Sequence, residues 1–82
     1  MVKRTEREVA ARCLWDPAYA FVVLDAEDYP AVRTALQADL EEAGQGQIVV
    51  NPSPIPPDAA WWQRLAFPRL RALAERPANQ PA

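Results

Sequence analysis

Tyr19-Ala20-Phe21-Val22-Val23-Leu24 is bounded by Asp16-Pro17 on one side and by the acidic segment from Asp25 to Asp28 on the other. Four of these six residues are aromatic or β-branched, and the run is of strand length, so it predicts a β-strand. With apolar residues on both faces, that strand is expected to be covered on both sides. A strand here makes the protein a mixed helix–sheet fold.

Working outward toward the N-terminus, Thr5-Glu6-Arg7-Glu8 matches a capping box. In that motif the Thr hydroxyl accepts from the backbone three residues on and the Glu reaches back. A first helix follows, with Val9 and Cys13 as its apolar stripe together with Val2 or Leu14, and Asp16-Pro17 ends it. Residues 1–4 are expected to fray.

On the C-terminal side, Pro30 opens a second helix whose Val32, Ala35, Leu36, Leu40 and Ala43 recur at three- and four-residue spacing. Gly44 is its expected cap and Gln45-Gly46 completes the turn. Gln47-Ile48-Val49-Val50 predicts a second strand. Pro52, Pro54, Pro56 and Pro57 then form a stiff connector, and Asp58 caps a third helix carrying Trp61 and Trp62. Pro68 kinks that helix or splits it into 59–67 and 69–76. Residues 77–82 read as a disordered tail.

The expected architecture is therefore an α+β or small α/β fold of order α-β-α-β-α. A two-stranded sheet packs with three helices, the third kinked at Pro68, in one domain spanning 1–76. The strand–helix–strand unit favours parallel pairing, although an antiparallel arrangement is also compatible with the loops. Both outer edges of so small a sheet can template further pairing, so a homodimer through a sheet edge is an open option.

The chain has 82 residues, no histidine and one cysteine. Its length accommodates one domain with a marginal core. The missing imidazole removes the commonest general base and metal ligand, and with it zinc sites of Cys and His and any nucleophile–His pair. Cys13 has no partner for an intramolecular disulfide and reads as a small buried apolar residue in a reducing cytosol. No enzyme activity, metal or cofactor is expected.

The net charge of −2 is unevenly placed. Residues 1–15 carry four cations against two acids, residues 16–42 carry seven acids against Arg33, and residues 43–82 carry four arginines against two acids. An acidic centre between mildly basic ends disfavours nucleic acid and could steer a basic partner. No apolar run approaches the ~18–20 residues needed to span a bilayer, and no apolar segment follows the basic N-terminal residues. The expected compartment is the cytoplasm.

Asp25, Glu27 and Asp28 at the end of the first expected strand suit Mg²⁺ by residue type. No Gly-rich loop, Lys or His accompanies them, and acids ahead of a helix stabilise its positive end. Asp39, Glu41 and Glu42 lie near the negative end of the second helix, where each costs a few tenths of a kcal/mol unless something uses it. Pro54-Ile55-Pro56-Pro57 has the spacing of a polyproline II ligand but is flanked by Asn51 and Asp58, not by a basic residue.

On a helical projection Trp62, Leu65, Ala66, Leu70 and Leu73 share one face, while Trp61 falls toward the flank of Arg64 and Arg71. Trp62 is therefore expected in the core and Trp61 at a rim, where Trp beside Arg is the composition of an interface hot spot. The expected function is that of a small non-catalytic accessory or inhibitor protein docking on a larger protein. The residues expected to meet the partner are Trp61, Arg64 and Arg71, with Asp25, Glu27, Asp28, Asp39 and Glu42 as the acidic contribution. Composition rich in Arg, Ala and Pro suits a GC-rich bacterial or phage genome. The alternative is a homo-oligomeric structural or assembly component, such as a small virion part, and the third reading is a nucleic-acid-associated protein.

Overall fold

Helix α1, Glu6–Cys13, starts on the expected capping box in the computed structural model of the chain, which describes residues 4–51 and 55–76. The Glu8 amide donates to Thr5 Oγ1 at 3.2 Å and the Thr5 amide donates to Glu8 Oε1 at 3.3 Å. Two of the helix's orphan donors are thus satisfied reciprocally. These bonds from Thr5 also hold the Glu8 carboxyl below its ordinary pKa.

The expected first strand is instead helix α2, Pro17–Asp25. Asp16-Pro17 does end α1, but the same pair begins the next helix. The Asp16 carboxylate accepts the Tyr19 amide at 3.2 Å, and Pro17 occupies the first turn, where its fixed φ is helical and its missing N–H would have no partner. A helix of this length needs no neighbouring strand to satisfy its backbone, whereas a two-stranded sheet would leave two open edges. Propensity opposes the helix only through the two valines and the aromatics, at a few tenths of a kcal/mol each. Burial of Ala20 and Val23 against the core outweighs that.

Helix α3, Pro30–Glu42, follows expectation, with Val32, Ala35, Leu36 and Leu40 buried along one face. It closes on a Schellman motif. Gly44 adopts φ 79°, its amide donates to the Glu41 carbonyl at 3.1 Å, and the Gln45 amide donates to the Leu40 carbonyl at 2.7 Å. A residue without Cβ takes this left-handed turn at no steric cost.

The expected second strand is also helical. Gly46–Val50 forms the short helix α4, closed by the Asn51 amide on the Gln47 carbonyl at 2.8 Å and packed on α3. Its Ile48 and Val49 lie partly buried against the core, while Val50 faces out. Among the described residues there is no strand, so the two-stranded sheet, its pairing direction and its dimerising edge all fall away. The protein is all-helical over these residues.

The third expected helix divides at Pro68, one of the two outcomes its sequence allows. Helix α5, Ala59–Gln63, starts on Asp58, whose carboxylate accepts the Ala60 amide at 3.0 Å. Helix α6, Pro68–Ala74, starts after Phe67, which sits in the left-handed region at φ 46°, ψ 55°. Proline disfavours the right-handed helical conformation in the residue before it, so the chain leaves one helix and re-enters another here. The strain at Phe67, about 1–2 kcal/mol, is offset by burying its ring against Trp62 at a centroid distance of 4.9 Å.

Trp62 is the centre of the core, as expected. Its Nε1–H donates to the Cys13 carbonyl at 2.7 Å, and its ring meets Phe21 edge-on at 6.1 Å. One side chain thereby ties α5 to α1 and α2. Helix α6 packs on α1 and α3. Cys13 is fully buried, and desolvation, reinforced by the nearby Asp16 charge, pushes its thiol up to about 12. Among the described residues no helix is long and apolar enough to cross a membrane. Residues 1–3 of the segment 1–4 expected to fray, the tail 77–82 and residues 52–54 of the proline connector lie outside the described residues.

Candidate protein-interaction surface

The acids expected near the C-terminal end of α3 have separate fates. Asp39 is 3% exposed and faces inward. Its Oδ1 accepts the Arg69 amide at 3.2 Å and the Arg69 guanidinium at 3.1 Å, and its Oδ2 accepts the Leu70 amide at 2.9 Å. The residue at the N-cap of α6 is Phe67, which has no side-chain acceptor, so Asp39 performs that capping role from another helix. Glu42 stays exposed but pairs with the same guanidinium at 2.9 Å. The Glu42 and Asp39 hydrogen bonds raise the Arg69 pKa above its ordinary value. Both acids are therefore engaged inside the fold.

Trp61 lies half-buried on α5 against the core. Arg64 is exposed in the turn after α5, without a side-chain partner among the described residues. Arg71 is exposed and its Nε–H donates to the Ala66 carbonyl at 2.7 Å, bracing the turn that contains Arg64. No ring contact joins Trp61 to either guanidinium among the described residues. The structure thus places Trp61 at the rim, and it brings Arg71 to the Arg64 turn without bringing either guanidinium onto the indole.

Asp25 ends α2, and Glu27 and Asp28 lie in the loop before α3; all three are exposed. None of their side chains makes a hydrogen bond or ion pair with a described residue. Arg33, the nearest cation in sequence, points its guanidinium at the Ala26 carbonyl at 3.1 Å. Among the described residues no group of three or more Asp, Glu or Cys side chains is placed to hold a metal ion.

The feature that the strand reading concealed is the outer face of α2. From Pro17 to Leu24 this helix has no charged residue. A helix apolar on every side is normally enclosed on every side, yet here Ala18 and Val22, one turn apart, face solvent together with Asp25. Val22 is 65% exposed, and Trp15, in the turn leading into the helix, is 56% exposed. Reading 17–25 at 3.6 residues per turn would have put Ala18, Val22 and Asp25 on one face opposite Ala20 and Val23. At a period of two that pattern is invisible. Arg12 closes the N-terminal end of this face: its guanidinium pairs with Asp16 at 3.4 Å and lies 4.4 Å from the Tyr19 ring centroid.

A shallow groove between α3 and α6, about 670 Å³ in volume, is floored by Ala31, Ala35, Ala38 and Ala72 and edged by Arg69 and Arg76. Arg69 is already held there by Asp39 and Glu42. Val50 and Ile55 are also exposed, but they flank residues outside the described set.

Compared with known proteins, the chain matches no family model, no curated protein and no solved structure.

Proposed function

We propose that the protein is a small non-catalytic accessory that docks on a larger protein partner through the outer face of α2. The observation that carries this reading is the exposure of Trp15 and Val22, 56% and 65%, on and beside a helix with no charged side chain before Asp25. Covering a large apolar side chain contributes about 1.5–3 kcal/mol, and Trp is the residue most enriched among interface hot spots. In so small a protein, exposing both rather than packing them has a stability cost that a partner would offset.

Arg64 and the half-buried Trp61 fit a secondary rim contact, and Asp25, Glu27 and Asp28 supply charge at one end of the α2 face. Asp39 and Glu42 drop out of the proposed surface because Arg69 and the start of α6 already engage them. The homo-oligomer reading rested on a sheet edge, and no strand is present among the described residues.

The test is affinity capture from cells that encode the protein, using wild type, Val22→Glu, Trp15→Ala and Trp61→Ala side by side. A protein recovered by wild type and Trp61→Ala but lost from Val22→Glu and Trp15→Ala is the expected result, with unchanged far-UV circular dichroism in all four. Equal recovery by the α2 variants would remove this reading.

A further inference from the structure

We infer that the segment of the partner seated on α2 is an amphipathic helix whose apolar stripe ends in lysines or arginines. The inference rests on the reading of α2 as a docking face and adds the chemistry of its occupant.

The face is apolar along its length, with a balanced ion pair at one end and an excess of acids at the other. Ala18 and Val22 stand one turn apart on it, a short apolar ridge of the kind that packs between the side-chain rows of another helix. At the N-terminal end Arg12 is neutralised by Asp16 and rests on Tyr19. At the C-terminal end Asp25, Glu27 and Asp28 are exposed and their side chains have no partner among the described residues. The carbonyl end of the α2 dipole adds to their field, so cations are favoured there and anions are repelled. A partner that matched only the apolar stripe would leave these three carboxylates beside its own surface with only the Arg33 guanidinium, held on the Ala26 carbonyl at 3.1 Å, as a nearby cation.

A second copy of the chain is the poorer match. Two-fold pairing of α2 brings each acidic end toward an N-terminal end whose cation, Arg12, is already paired. A nine-residue helix is also only about 14 Å long and 10–12 Å across. Its face falls well short of the ~800 Å² per partner typical of stable interfaces. A longer basic helix that continues over the Glu27–Asp28 loop gains contacts that a second α2 does not offer.

The experiment is selection from a displayed library of random peptides of about 16 residues, long enough as a helix to span α2 and its following loop, against the full chain. The expected winners share apolar anchors at helical spacing with Lys or Arg at one end. The best of them, synthesised, should bind at least about tenfold more weakly to Val22→Glu and to the triple variant Asp25→Asn/Glu27→Gln/Asp28→Asn, and about tenfold more weakly on raising salt from low to high ionic strength. Winners without a basic end, or binding that Val22→Glu abolishes and the triple variant leaves unchanged, would overturn the inference while leaving the docking face standing. A concentration-dependent dimer that Val22→Glu dissolves would make the occupant a second copy and overturn it too. No winner that depends on Val22 would overturn both.

Discussion

The Asp39 carboxylate on α3 caps α6 through Leu70, accepting the Leu70 amide at 2.9 Å across 31 residues of sequence. Helix α6 opens after a proline-forced break, where its own N-cap position holds Phe67. The acceptor that the local sequence lacks is supplied by a residue that its spacing from Val32, Ala35 and Leu36 puts on the buried face of α3.

Asp39→Ala should therefore destabilise the fold by about 2–3 kcal/mol, through a buried N–H left unpaired and a lost helix cap. Arg69→Ala removes a guanidinium that is half in water and leaves Asp39 its two amide donors, so it should cost less than Asp39→Ala. Urea denaturation of the two variants beside wild type checks the order. Similar losses in both would mean that the ion pair, rather than the cap, holds α6.

The two adjacent tryptophans should behave differently. Trp62→Phe leaves the Cys13 carbonyl without its 2.7 Å donor and opens space beside Phe21 and Phe67, so a loss of about 2–3 kcal/mol is expected. Trp61→Phe, at the half-buried rim, should cost less than about 1 kcal/mol. Thermal or urea unfolding separates them, and equal losses would put Trp61 in the core as well.

The glycines flanking Gln45 give a paired backbone test. An added Cβ at Gly44 meets nothing within 4 Å, so the cost of Gly44→Ala, about 1 kcal/mol, is the left-handed φ alone. At Gly46 the Cβ makes an ordinary 3.7 Å contact with Glu41 and φ is not left-handed. Gly46→Ala should leave stability unchanged or raise it by up to about 1 kcal/mol. A denaturation midpoint that falls for Gly44→Ala and holds or rises for Gly46→Ala is the expected outcome.

Cys13 adds a pH dependence whose sign follows from burial. Its folded-state pKa is raised from 9.0 to about 12, so the folded state holds the thiol proton more tightly than the unfolded state does. Stability from this group is fully present below about pH 9 and declines as pH rises toward 12. Wild type should lose stability relative to Cys13→Ala between pH 8 and about pH 10.5, read from urea midpoints at each pH. In the folded protein the thiol should resist aromatic disulfide reagents at pH 8 until urea unfolds the chain. Rapid reaction without denaturant would show that α1 opens locally.

Where a helix begins and ends was largely legible in the chain. The Thr5–Glu8 box, Pro30, Gly44, Asp58 and the break at Pro68 act through bonds and sterics within a few residues, so local sequence carries them. Tyr19–Leu24 and Gln47–Val50 are different. An unbroken apolar run has no period to read, and the physical choice lies in what covers it. The mistake at 19–24 came from treating Asp16-Pro17 only as a stop, when an Asp followed by Pro is also a helix start. With that helix misread, the exposed Trp15 and Val22 had no face to belong to.

The sequence by itself determined most of the helix caps and the Trp62 anchor. These depend on interactions spanning three or four residues. Only the tertiary structure decided that α2 and α4 are helical, that the amides Asp39 meets are those that start α6, and that one apolar side of α2 remains open. Each of those outcomes depends on which surfaces meet across the fold: an apolar run takes the form whose backbone bonds and buried face are both satisfied, and a carboxylate is drawn inside where distant amides wait for an acceptor.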